Sequence, residues 1–135
     1  SRGLGDVYKR QREYKMTLED VKKEFGYKFV RSAEEKAILG LDKKTEVIST
    51  GGSAVYSSIS MHHLMSFSKI IYIDTPLDVI INRIGIGQER GLAMPDGISI
   101  RDVYLERKPL YEKFSQFTVD GSKSIEQLVS EVNNI

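Results

Sequence analysis

Four places along the sequence carry residue types suited to handling an anion. Arg31 and Glu34 stand three apart on a predicted helix, so they share a face and can pair; taken alone, such a pair reads as solvated surface. Thr50-Gly51-Gly52-Ser53 follows a β-branched run. Glycines at a strand end let a ligand approach the backbone, whose N–H groups can hold a hydroxyl or a carboxylate, although the same residues equally make a plain turn. Glu89-Arg90-Gly91-Leu92 lies in a glycine-rich stretch beyond Arg83. An arginine on a closing segment can neutralise charge spread over a transferring phosphoryl group, where a lysine would lack the planar fork; without other support it is a solvated loop residue. Finally, Arg107 within Glu106–Tyr111 can recognise a carboxylate bidentately, with Pro109 expected to bend or restart the helix so that the guanidinium faces the sheet edge. His62 and His63 do not add a metal site: neighbours on a helix point about 100° apart and no third histidine exists, so both read as surface residues.

The elements that must position these residues alternate in type. Thr17-Leu-Glu-Asp20 reads as a capping-box variant opening a helix with Leu18, Val21 and Phe25 on one stripe, ended by Gly26. A second helix is expected from about Lys28 to Gly40, with Phe29, Ala33, Ala37 and Leu41 facing inward. Glu46–Thr50 is a predicted strand running into the glycine turn, and Ser57–Ser66 a modest helix. Lys69–Asp74 is the clearest strand, apolar on both faces as a buried parallel strand requires. Pro76 and Asp78 open the next helix, which carries Val79, Ile80 and Arg83. Residues 85–99 hold four glycines and one proline with little periodicity, the pattern of a mobile lid. A helix over Ile100–Tyr111, a strand over Phe117–Asp120 and a capping box at Ser124–Gln127 complete the chain, with Leu128 and Val132 of the last helix turned inward. Strands alternating with helices imply an α/β fold with a parallel sheet covered on both faces.

Composition narrows the possible functions. Hydrophobic residues make up 40% and charged residues 29%, a globular balance, and 135 residues suffice for one domain. The 20 basic and 19 acidic side chains leave a net charge of +1, so no broad field recruits nucleic acid or an anionic membrane. The absence of cysteine removes disulfides and thiolate chemistry, and no apolar run approaches the roughly 20 residues of a membrane-spanning helix. A cytoplasmic monomer is the expectation. Residues 1–11, SRGLGDVYKRQ, coincide with the translation of a sequencing-library adapter and are set aside as a scar, which leaves residues 12–135 as a single, partial domain whose upstream part is expected to be missing.

In this order and spacing the four places resemble the shikimate kinase family from about Thr17 to the end. Gly26-Tyr-Lys-Phe-Val30-Arg31-Ser-Ala-Glu34 is similar to the family's Gly-Glu-x-x-Phe-Arg-x-x-Glu, Val47–Val55 to its strand and triple-glycine turn, and Ile70–Arg83 to its apolar strand and proline-led helix. Arg90-Gly91-Leu92 is similar to its lid motif Arg-Pro-Leu, and Arg107–Tyr111 to its Arg-x-Pro-Leu-Tyr. The resemblance implies a three-layer P-loop kinase-type sheet and ATP-dependent phosphoryl transfer to shikimate, the step that forms shikimate 3-phosphate, with Mg2+ as the metal. It also implies roles: Arg31 and Arg107 grip the acceptor carboxylate, Gly52 and Gly51 offer it backbone donors, Glu34 (or Glu35, one residue on) orients Arg31, Arg90 stabilises the transferring phosphate, and Arg83 lies against adenine.

The departures are specific. Tyr27 stands at the family's glutamate, Val30 at its phenylalanine, Ser53 at the third glycine and Gly91 at the lid proline. No G-x-x-x-x-G-K-[ST] occurs in the chain, so the phosphate nest, its lysine and the magnesium-binding hydroxyl are not supplied by it, nor are the family's early aspartates. The first strand and phosphate loop of the fold are therefore expected to be missing, with an open sheet edge, marginal stability and little turnover. Two other readings stand beside this one: a related P-loop kinase for another hydroxy or sugar acid such as gluconate, and a degenerate domain that binds a ligand without catalysis.

Overall fold

The computed structural model describes residues 18–44, 47–84 and 97–135. The described residues fall into two compact units, one from residues 18–68 with 97–98 and one from residues 69–84 with 99–135.

In the first unit, helices α1 (Leu18–Phe25) and α2 (Tyr27–Leu39) meet at Gly26. Gly26 has φ 81°, a conformation that strains any residue with a Cβ, and its N–H closes on the Lys22 carbonyl at 2.7 Å. Val21 and Val30, one from each helix, are buried together with Phe29 packed against them. Thr17, the expected cap of α1, lies outside the described residues.

The buried face of α2 is Val30, Ala33, Glu34 and Ile38, not the expected Phe29, Ala33, Ala37 and Leu41. The helix is turned by one residue, about 100°, and Leu41 lies past its end, where the Gly40 N–H meets the Lys36 and Ala37 carbonyls at 3.2 and 3.3 Å. An apolar-periodicity argument could not choose this face because it includes a carboxylate. The expected strand over residues 46–50 is likewise absent from its described part, 47–50, where Val47 is 85% exposed. β-Branched residues form a strand only against a ladder partner and neighbouring side chains, and among the described residues no strand pairs with this run.

The chain then turns, the Ala54 N–H reaching the Gly51 carbonyl at 3.1 Å, and passes through a short 3-10 helix, Ala54–Tyr56, into α3 (Ser58–Met65). Ser57 caps α3, its hydroxyl accepting from the Ser60 N–H at 3.1 Å. On α3, His62 is exposed as expected. His63 is not: it is half-buried, with Nε2 2.8 Å from the Leu41 carbonyl, and so fastens the loop after α2.

The second unit holds a two-stranded parallel sheet. Strand β1 (Ile71–Asp74) pairs with β2 (Phe117–Asp120) in the register Ile71↔Phe117 to Asp74↔Asp120. The β2 span matches the sequence expectation, but burial of β1 on both faces does not hold: Ile73 is 53% exposed, and a strand is buried on both faces only where helices cover both. At the end of β2 the Gly121 N–H extends the ladder to the Asp74 carbonyl at 2.7 Å; a Cβ there would meet Ile73 Cγ2 at 2.8 Å and the Thr75 side chain as well, so only glycine fits.

Helix α4 (Leu77–Ile84) follows β1, and α5 (Ile100–Phe114) precedes β2. Ser99 and Asp102 form a full capping box for α5, which runs through Pro109 without restarting and ends at Phe114 rather than Tyr111. Proline removes one donor, for the carbonyl four residues earlier, and that residue, Leu105, is exposed so that water can serve instead. Helix α6 (Ile125–Asn133) starts at the predicted Ser124–Gln127 box. Its expected inward residues are only partly covered, Leu128 half-buried and Val132 37% exposed. The expected lid lies outside the described residues over 85–96. No helix among the described residues is long and apolar enough to cross a membrane.

Candidate functional site

In the first unit the α2 side chains and the glycine turn come together. Glu34 is buried rather than on a solvated helix face, and its Oε2 accepts the Ser53 hydroxyl. Gly51 makes room for it: a Cβ at that position would collide with the Glu34 carboxylate, 3.3 Å from Cδ and nearer still to Oε1. Burying a carboxylate without a donor would cost several kcal/mol, on the order of 2–7 even for a neutral polar group, so the Ser53 hydroxyl and the missing side chain at Gly51 both favour the inward glutamate. Glu35, the alternative in the sequence reading, has its own serine, accepting from the Ser57 hydroxyl at 2.5 Å. Each carboxylate thus ties α2 to one end of the segment 53–57.

Arg31 lies on the same helix, half-buried. Its guanidinium carbon is 3.8 Å from the ring centroid of Tyr56 and 5.1 Å from that of Tyr27. Gly52, beside Gly51 in the turn, is exposed. Of the sequence-predicted residues, the first unit therefore gathers Arg31, Glu34, Gly51 and Gly52. The sequence reading missed Ser53 as a donor and Tyr56 and Tyr27 as arginine partners. Tyr27 was visible in principle, four residues before Arg31 on one helix face; Tyr56, twenty-five residues away, was not.

The second unit holds Arg83 and Arg107; Arg90 lies outside the described residues. Arg83, on α4, donates from Nη1 to the Gly121 carbonyl at 2.8 Å, which pins an otherwise exposed side chain beside the turn after β2. Arg107 is buried on α5. The neighbouring Lys108 reaches the carboxyl end of β1 and donates to both Asp74 oxygens at 2.8 and 2.9 Å, with Glu112 one turn on at 3.6 Å. Tyr72 donates its hydroxyl to Asp74 Oδ1 at 2.9 Å and stacks on Tyr111, centroids 5.2 Å apart. The Lys108 hydrogen bond holds the Asp74 carboxyl below the usual carboxylate range, against partial desolvation. Burial first, then the hydrogen bond to Asp74, raises the Tyr72 phenol. A cavity of about 390 Å³ opens here, lined by Asp74, Tyr104, Lys108, Thr118 and Asp120, at the strand carboxyl ends where α/β sheets place ligands. The sequence reading assigned nothing to Lys108. Among the described residues no group of three or more His, Asp or Glu side chains could hold a metal ion.

Comparison with known proteins is decisive for the family, because the model of the family described as "Shikimate kinase" matches residues 6–135. The chain belongs to the shikimate kinase family. Among curated relatives, "Shikimate kinase 2" of Escherichia coli O81 (strain ED1a) is 23% identical over 129 residues, covering 92% of this chain and 74% of the relative. "Shikimate kinase 2" of Salmonella paratyphi B is 24% identical over 127 residues, covering 90% and 70%. The crystal structure of shikimate kinase from Aquifex aeolicus superposes with a TM-score of 0.73 at 25% identity, over 95% of this chain and 76% of that one. That from Bacteroides thetaiotaomicron gives 0.69 at 20%, over 95% and 77%. The fold is thus the α/β fold of these kinases, and the family-level activity is phosphorylation of shikimate by a kinase that uses ATP and Mg2+.

Proposed function

We propose that this chain takes the carboxylate of a shikimate-like acceptor at Arg31 and at the backbone N–H groups of Gly51 and Gly52, as part of a phosphoryl transferase of shikimate kinase type. The family match over residues 6–135 carries this reading, and the gathering of Arg31 with the 51–56 turn in one unit supports it. A planar arginine fork suits a carboxylate bidentately, and turn N–H groups supply donors that cost no side-chain entropy. Glu34 acts by holding the turn to α2 through Ser53. Arg107 is assigned the same carboxylate, Arg90 the transferring phosphoryl group and Arg83 the adenine ring, each on the family resemblance.

The phosphate and metal ends of ATP are a different matter. The sequence contains no phosphate-loop motif, and the described residues include no metal-binding cluster. The described residues therefore do not fit Mg2+, and of the triphosphate only the transferring phosphoryl group is assigned a residue, Arg90, beside Arg83 for the adenine end. Phosphoryl transfer depends on positioning and charge neutralisation of that triphosphate, so the 135-residue chain is expected to bind acceptor and to turn over at background rate.

Calorimetric titration of the chain with shikimate and with gluconate, beside a coupled ATP–Mg2+ assay, tests this. Shikimate is expected to bind and gluconate not to, with Arg31→Ala weakening shikimate by about tenfold, the range of one charge-assisted hydrogen bond. Gluconate binding in its place would move the acceptor to the sugar acids, which the changes at Tyr27 and Ser53 would accommodate. Turnover well above background would overturn the expected inactivity, and an Arg31 variant that binds as tightly as the parent would remove Arg31 from the site.

A further inference from the structure

We infer that Tyr56, assisted by Tyr27, is a positioning residue for the acceptor site: its ring face fixes the plane of the Arg31 guanidinium and so sets the preference for a carboxylate over a neutral ligand. The inference rests on the proposed role of Arg31 and adds to it the device that aims the arginine. The Arg31 guanidinium carbon lies 3.8 Å from the Tyr56 ring centroid and 5.1 Å from that of Tyr27, both inside the range in which a cation is drawn to an aromatic face.

The backbone of Tyr56 is anchored. Its N–H donates to the Ser53 carbonyl at 3.1 Å, and the two residues before it in the 3-10 helix, Ala54 and Val55, are buried. Ser53 in turn is buried and bonded to Glu34. The backbone of Tyr56 is therefore tied to the segment that follows the Gly51-Gly52 turn, and the contact of its ring with the guanidinium relates Arg31 to that segment. Tyr27 contributes from within α2, one helical turn before Arg31.

The chemistry of the contact matters for binding. A guanidinium has five N–H donors in its plane and none on its faces. A carboxylate partner occupies in-plane donors; an aromatic ring engages the face and leaves the in-plane geometry suited to a bidentate ligand. Position 27, where the family motif has glutamate, carries a ring in this chain. The face contacts of Tyr56 and Tyr27 thus add to whatever holds the fork in its plane, and losing the Tyr56 ring lets the fork tilt away from the turn while its charge remains.

Two variants and two ligands test this on the full chain: Tyr56→Leu and Tyr56→Phe, titrated with shikimate and with its neutral methyl ester, together with the NMR shift of the Arg31 side-chain Nε–H. The ring-current shift of Nε–H is expected in the parent and in Tyr56→Phe and lost in Tyr56→Leu. Tyr56→Leu is expected to weaken shikimate by about fivefold and to leave the ester unchanged, while Tyr56→Phe retains most of the affinity. A leucine variant that loses acid and ester equally, or one that keeps full affinity for the acid, overturns the inference; so does a phenylalanine variant as weak as leucine. A parent chain that shows the Nε–H shift and binds neither compound overturns instead the assignment of Arg31 to the acceptor, and the two failures are distinct.

Discussion

Two carboxylates, one in each unit, are secured in opposite ways. Glu34 is 8% exposed and meets a neutral hydroxyl, that of Ser53, in space that Gly51 leaves open. Asp74 has a side chain 36% exposed and faces the full charge of Lys108, itself 31% exposed. The ion pair looks the stronger of the two. Water, however, can replace either partner of Asp74 at little cost, as it does for most surface ion pairs, whereas water has little access to a carboxylate only 8% exposed when the Ser53 hydroxyl is withdrawn. What makes a polar tie costly to break is the absence of a substitute, and formal charge is a poor guide to it.

Substitutions can sharpen or break that contrast. The largest effect is expected from Gly51→Ala, whose new methyl would displace the Glu34 carboxylate; overpacking of this kind costs about 3 kcal/mol, measurable by urea unfolding. A loss near zero would mean that Glu34 swings out freely and is not confined. Ser53→Ala comes next at about 2 kcal/mol, the penalty for withdrawing a donor from a buried acceptor, and differential scanning calorimetry is the simplest check. Asp74→Asn is expected to be the smallest, and its signature is pH dependence. Because Lys108 depresses the folded-state value of Asp74, the unfolded chain binds more protons in acid. The stabilisation is therefore complete above about pH 4, the ordinary carboxyl value, and is lost as pH falls through the lower folded value. The variant should lose little at neutral pH and flatten the acid limb of the stability profile. Identical acid limbs in parent and variant would show that the Lys108 contact confers nothing.

What could be read from the sequence was local. Ser99 with Asp102 and Ser124 with Gln127 form the boxes that set the starts of α5 and α6, because a cap needs only residues three apart. Phe117–Asp120 was legible as a strand because its partner exists in the chain. Val47–Thr50 has similar composition and no partner among the described residues, so the same signal led to the wrong element. The face of α2 was misjudged for a related reason: a donor to the buried Glu34 lies nineteen residues on, at Ser53, and a helical wheel holds no such information. Arg31, Gly51 and Gly52 were picked out from their types and order, while Tyr56 depended on the path of the turn. Lys108 escaped notice because its partner, Asp74, sits on a different element thirty-four residues earlier.

Ser57 carries a consequence for which residues evolution or design can place at the start of α3. Its single hydroxyl proton goes to Glu35 while its oxygen accepts from the Ser60 N–H. Aspartate begins helices as well as serine does in general, yet here it would set one anion against another and has no proton to give. The vocabulary at this position is thereby cut to caps that also carry a proton to give, with threonine as the natural synonym and the acidic caps excluded by a neighbour one helix away.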